Sequence, residues 1–111
     1  MSHIKRISAA ELQELRRRNP DILLVDVRNP FEHVTSGAIP GVVSIPLDEL
    51  PSRMNEIPAD RSHPIVLVCQ SGGRSLAAAR MLTSQGYSEA YSLDGGTGGW
   101  LRAYGARSTT T

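Results

Sequence analysis

The sequence predicts an α/β fold, a mostly parallel five-stranded central sheet with helices on both faces. Three observations carry this expectation. Strand-like and helix-like stretches alternate along the whole chain, the order that builds parallel sheets through crossover helices. The run Ile22-Leu23-Leu24-Val25, and later Ile65-Val66-Leu67-Val68, is apolar without interruption, which suits a strand covered on both faces rather than one. The 111 residues are 40% hydrophobic and 21% charged, enough for one core without disulfides or metal. Residues 1–107 are expected to form this single domain and 108–111 a disordered tail.

The elements follow in order. Lys5-Arg6-Ile7 is short and extended. Ser8 and Glu11 have the spacing of a capping box, so a first helix begins near Ala9, with Leu12 and Leu15 on its buried side. Arg16-Arg17-Arg18 lie late in that helix, where they suit its dipole, and Asn19-Pro20 stops it. Three arginines are too few for a nucleic-acid site and read as a solvated helix end. The run at 22–25 makes a central strand whose carboxyl end carries Asp26 and Arg28, opposite charges placed to orient neighbouring loops. Asn29-Pro30-Phe31-Glu32-His33 then supplies a cap, a proline at the first helical position and a short helix.

Gly37-Ala38-Ile39-Pro40-Gly41 is a loop, and Val42 to Pro46 a shorter strand. Short helical turns at 47–50 and 54–57 are broken by Pro51 and ended by Pro58. A polar connection, residues 59–63, leads into the strand at 64–68. Beyond residue 75 a helix runs from Leu76 to Gln85, with Ser75, Ala78, Met81 and Leu82 at helical spacing and Gly86 where a left-handed residue ends a helix. Ala90-Tyr91-Ser92-Leu93 is the last strand. The glycine-rich stretch Gly95 to Gly99 is expected as a flexible loop that passes close to the cysteine loop or packs under Trp100, and Leu101 to Tyr104 as a closing turn. Phe31, Tyr87, Tyr91 and Tyr104 are core or rim positions, and Trp100 packs the last helical turn.

Charge excludes some functions. Twelve basic against eleven acidic residues give a net charge of +1, which argues against a nucleic-acid or membrane-surface partner. No apolar run spans a bilayer and the start is not of signal-peptide type, so a cytoplasmic address is expected. His3, His33 and His63 match no metal-ligand spacing and read as surface residues, and no metal is expected. The Gly95 to Gly99 stretch is not a dinucleotide fingerprint, because Leu101 stands where the third glycine belongs.

One stretch carries chemistry: Cys69-Gln70-Ser71-Gly72-Gly73-Arg74-Ser75, between a strand and a helix. A lone cysteine is either a small buried hydrophobe or a reactive thiol, and spacing by itself admits both. The combination of strand, cysteine, paired glycines, arginine and helix favours the second. Gly72 and Gly73 permit backbone angles that side chains forbid, so the N–H groups of Gln70 through Ser75 can curl around one sulfur. A helix N-terminus and the Arg74 cation both favour a thiolate, and the Arg74 fork suits an oxyanion.

These seven residues resemble the active-site loop of single-domain rhodaneses, the sulfurtransferases. Asp26-Val27-Arg28 with Glu32, Gly37, Ile39, Gly41, Ile45 and Pro46 is similar to the family's N-terminal signature, and Leu93-Asp94-Gly95-Gly96 with Trp100 to its C-terminal one. The resemblance implies a persulfide mechanism. Cys69 would take the outer sulfur of a small donor such as thiosulfate, and cyanide, a thiol or a thioredoxin-like protein would remove it. Asp26 and Arg28 would support the loop, no cofactor would be needed beyond the sulfur carried on Cys69, and the chain would act as a monomer. One departure stands out: many members have arginine directly after the cysteine, where this chain has Gln70, and strong binding of small dianions is thereby put in doubt. Two other classes share part of this pattern. Cysteine-dependent phosphatases and arsenate reductases resemble the loop, but phosphatases place five residues between cysteine and arginine, and here there are four. A non-catalytic rhodanese-like module typically lacks the cysteine.

Overall fold

In the computed structural model, which describes residues 4–105, local signals place most of the elements. Ser8 Oγ accepts from Glu11 N at 3.0 Å while Ser8 N donates to Glu11 Oε1 at 2.8 Å, the reciprocal cap expected at the first helix. The chain runs β1 (Lys5–Ile7), α1 (Ala9–Arg18), β2 (Leu23–Asp26), α2 (Pro30–Ser36), β3 (Val43–Ser44), a 3₁₀ segment (Leu47–Glu56), β4 (Ile65–Val68), α3 (Gly73–Ser84), β5 (Ala90–Leu93), α4 (Gly96–Trp100) and a π-helical turn (Leu101–Gly105). The tail expected at 108–111 and His3 lie outside the described residues.

The five strands form one sheet in the order β1-β5-β4-β2-β3, and every pairing is parallel. Alternate residues of β4 divide the core. Ile65 and Leu67 face a cluster with Leu50 of the 3₁₀ segment and Ala78, Ala79 and Leu82 of α3. Val66 and Val68 face a cluster with Leu12 of α1 and Trp100 of α4. All four β4 residues are fully buried, which is why the strand is apolar throughout. The small side chains Ala78 and Ala79 bring α3 close to the sheet.

Three local expectations need correction. The stretch Gly95 to Gly99 is not a flexible loop, since most of it forms α4. Thr97 N donates to Cys69 O at 2.8 Å and Gly98 N to Gln70 O at 3.3 Å, so tertiary hydrogen bonds offset the low helix propensity of glycine. Phe31 is not a core residue: it is 65% exposed, on a helix, α2, that buries none of its residues. The helix after the cysteine begins at Gly73, three residues before the expected Leu76, and this moves the last three of the seven loop residues into its first turn. Gly86 ends α3 as expected, with φ +96°.

Candidate active site around Cys69

Register brings the two sequence-predicted clusters together. Asp26 of β2 is opposite Val68 of β4, so both chains leave the sheet side by side, and Val27 N donates to Val68 O at 2.8 Å just beyond. Cys69 is the next residue and is 1% exposed. Sites of parallel sheets gather at these carboxyl ends.

The sulfur sits in a ring of donors. Gly72 takes φ +135°, a backbone conformation that L side chains rarely adopt, and its N–H donates to Cys69 Sγ at 3.0 Å. Gly73 does not share this role, contrary to the sequence reading: it lacks a positive φ and serves as the first residue of α3. The axis of α3 therefore starts at the loop, with Gly73, Arg74 and Ser75 in its first turn and its N-terminal partial positive charge beside the sulfur. Ser75 Oγ lies 3.5 Å from Sγ. Burial pushes the thiol's pKa up, but hydrogen bonds from the Ser75 hydroxyl and from the N–H groups of Ser75, Gly72 and Ser71 outweigh it and leave Cys69 below the ordinary thiol value. This is a site that favours a sulfur anion.

Arg74 is not open to an oxyanion. Its Nη1 and Nη2 donate to the two oxygens of Glu32 at 2.8 and 2.9 Å, a bidentate pair that joins α2 to α3. Those hydrogen bonds hold the Glu32 carboxyl down at about 2. Glu32 Oε1 also accepts from Asn29 N at 2.9 Å, so one carboxylate both caps α2 and fixes Arg74. The sequence places a cap and a short helix at 29–33 but assigns Glu32 neither function. The second joins residues far apart in the chain, and no local signal carries it.

Asp26 and Arg28 meet the loop through Gln70. Both are fully buried, with Arg28 Nη2 donating to Asp26 Oδ2 at 2.8 Å and Nε to Oδ1 at 3.0 Å. Arg28 Nη1 donates to Gln70 Oε1 at 3.0 Å, and Nη2 also to Gly37 O at 2.8 Å. His33 is not simply a surface residue: its Nε2 lies 3.5 Å from Asp26 Oδ2 and its side chain is 21% exposed. Below the loop, α4 presses against the backbone. A Cβ placed on Gly96 would lie 2.4 Å from Cys69 O, an approach that only glycine allows. Ser71 is exposed at the rim and Gln70 half-buried.

The family described as the rhodanese-like domain matches residues 8–103, almost the whole described chain. The chain belongs to the rhodanese-like family. A sulfurtransferase of Allochromatium vinosum is 38% identical over 99 residues, covering 89% of this chain and 90% of that protein. The thiosulfate sulfurtransferase GlpE of Pseudomonas syringae pv. syringae is 38% identical over 104 residues, covering 94% and 93%. Among solved structures, the human single-domain sulfurtransferase TSTD1 superposes with a TM-score of 0.75 at 29% identity, covering 90% of this chain and 97% of its own. This chain covers nine-tenths or more of the length of each of these three relatives. In this rhodanese-like chain the Asp26-Val27-Arg28 stretch and the glycines of α4 thus meet at the cysteine loop, through Gln70 and the backbone of Cys69.

Proposed function

We propose that this chain is a sulfurtransferase that moves sulfane sulfur from thiosulfate, or another small donor, to a nucleophilic acceptor through a persulfide on Cys69. The observation that carries the reading is the sulfur of Cys69 held by the Gly72 N–H at 3.0 Å at the start of α3, in a setting that lowers the thiol's pKa. The Cys69 thiolate attacks the outer sulfur of thiosulfate. The S–S bond of the donor breaks, sulfite leaves with its electron pair, and Cys69-S–S⁻ remains. The N–H donors of the loop stabilise that anion without reorganising. Cyanide or a thiolate then attacks the outer sulfur, and the Cys69 thiolate is regenerated.

Cys69 is the sole cysteine, so no internal thiol can resolve the persulfide and the acceptor comes from outside, as a small thiol or a thioredoxin-like protein. The names of the relatives support the reaction class, and GlpE supports thiosulfate as donor. Phosphate chemistry is disfavoured by the short spacing and by Arg74, whose fork is occupied by Glu32.

Thiocyanate formation from thiosulfate and cyanide tests the proposal, together with mass spectrometry of the intact protein after exposure to donor. One added sulfur atom on Cys69 and steady turnover are expected. Cys69→Ser is expected to stay folded and to lose transfer completely. Absence of both turnover and persulfide with any sulfane donor overturns the proposal.

A further inference from the structure

One buried hydroxyl, that of Ser75 in the loop, lies beside Cys69, and a second, that of Ser92, lies beside Ser75. Ser75 is 0% exposed and Ser92, on β5, is 1% exposed, with their Oγ atoms 2.7 Å apart. Ser75 Oγ is also 3.0 Å from Gly72 O and 3.5 Å from Cys69 Sγ. A serine hydroxyl has one proton to give and two lone pairs to receive with. Gly72 O is solely an acceptor, so when sulfur is protonated the single Ser75 proton goes to Gly72 O. It follows that Ser92 is the donor in the serine pair. Among the described residues Ser92 Oγ has no other hydrogen-bond partner, and the reverse direction would leave its proton orphaned in the core. The Ser75 oxygen then receives from Ser92 and from the Cys69 S–H.

Loss of the sulfur proton removes the S–H bond to Ser75 and redirects the Ser75 proton. The Ser75 hydroxyl turns from Gly72 O to the sulfur anion, while Gly72 O keeps the N–H of Leu76 at 3.1 Å. Ser92 goes on donating throughout. Its bond polarises the Ser75 hydroxyl in the direction that strengthens donation to sulfur.

We propose that Ser92 is a positioning residue for Cys69: by donating constantly to Ser75 it keeps the one Ser75 proton free for the loop, on Gly72 O beside a thiol and on sulfur beside an anion. The inference rests on Cys69 working as an anion, as in the proposed function, but it needs no sulfur donor to be tested. The alternative is that Ser92 is a small strand residue whose hydroxyl merely finds a neighbour.

The rate of alkylation by iodoacetamide against pH reports ionisation of Cys69 alone, because the chain has one cysteine. Ser92→Ala is expected to move the profile to higher pH and to slow alkylation at neutral pH about threefold, the effect of weakening one neutral hydrogen bond to the anion. Ser75→Ala moves it further. Adding Ser92→Ala to Ser75→Ala changes nothing more, since Ser92 acts through Ser75. Ser92→Thr, which keeps the hydroxyl, retains the original profile, and Ser92→Gly repeats the loss where the alanine variant folds poorly. An unmoved profile in the hydroxyl-free variants overturns the proposal. So does a Ser92 effect that persists undiminished in the Ser75→Ala background, or a Ser92→Thr profile displaced like that of Ser92→Ala. Failure here with sulfur transfer intact leaves the sulfurtransferase reading standing.

Discussion

Arg28 has no exposed surface, yet it finds acceptors in Asp26, Gln70 and Gly37. A guanidinium can be buried only when its fork is matched by acceptors, and the planar match to Asp26 satisfies that condition. The sequence displayed the two charges at a strand end, and parallel-sheet geometry made their meeting with the cysteine loop a fair expectation. What it did not display was the route, which runs through the amide of Gln70 and not directly to sulfur. Removing the cation alone is therefore a severe change. Arg28→Ala leaves the Asp26 carboxylate buried without its counter-charge, and a loss of about 3–5 kcal/mol in urea unfolding is expected. The double variant Asp26→Asn/Arg28→Met removes both charges and is expected to lose less than Arg28→Ala. An Arg28→Ala loss below about 1 kcal/mol would mean that the pair contributes no more than an ordinary surface contact.

At the scale of elements, the difference between what was readable and what was not lies in where the hydrogen bonds go. Helix α1 was legible because its cap closes within four residues, Ser8 to Glu11. Helix α4 was hidden because Gly95 to Gly99 have poor intrinsic helix propensity, and its first N–H groups are satisfied by Cys69 O and Gln70 O from another part of the chain. Trp100 completes the anchoring, with its Nε1 donating to Gln13 Oε1 at 3.2 Å and its ring 5.3 Å from that of Tyr104. The glycines on either side of the sulfur consequently have unlike functions. At Gly96 a Cβ would stand 2.4 to 2.6 Å from Cys69 O and from Gln70 O and C, and the backbone there has φ +59°. Gly96→Ala must push α4 away from the loop, and a destabilisation of about 1–3 kcal/mol with loss of transfer activity is expected. At Gly73 a Cβ meets nothing within 4 Å and φ is not positive. Gly73→Ala is expected to stabilise the protein by up to about 1 kcal/mol in urea unfolding, as a helix-favouring replacement in the first turn of α3. Equal effects of opposite identity, with Gly73→Ala the damaging change, would show that the loop needs freedom at the second glycine after all.

For the molecule as a whole, the two-sided core was written in the apolar runs at 22–25 and 65–68, whereas the strand order was not. Periodicity says that β4 is covered on both faces, but that Ile7 of β1 pairs beside Leu93 of β5 depends on crossovers with no local marker. The same limit applies to Glu32 and Arg74, whose ion pair spans the site and ties the otherwise unburied α2 to the body of the fold. Because α2 buries no side chain of its own, much of its attachment rests on charge, and charge responds to pH. The Glu32 carboxyl is lowered from its ordinary 4.5 to about 2 in the folded state, chiefly by the hydrogen bonds from Arg74. A depressed carboxyl contributes stability that is complete above about 4.5 and is lost as pH falls through about 2. Since Arg74 is partly exposed, solvent screening reduces the contribution to the order of 1–2 kcal/mol. Urea unfolding at a series of pH values checks this. The native protein should lose stability across that window, whereas Glu32→Gln should be less stable at neutral pH and show a shallower decline below pH 4.5. Parallel curves for the two proteins would place the acid sensitivity in other carboxylates and leave α2 held by something besides its ion pair.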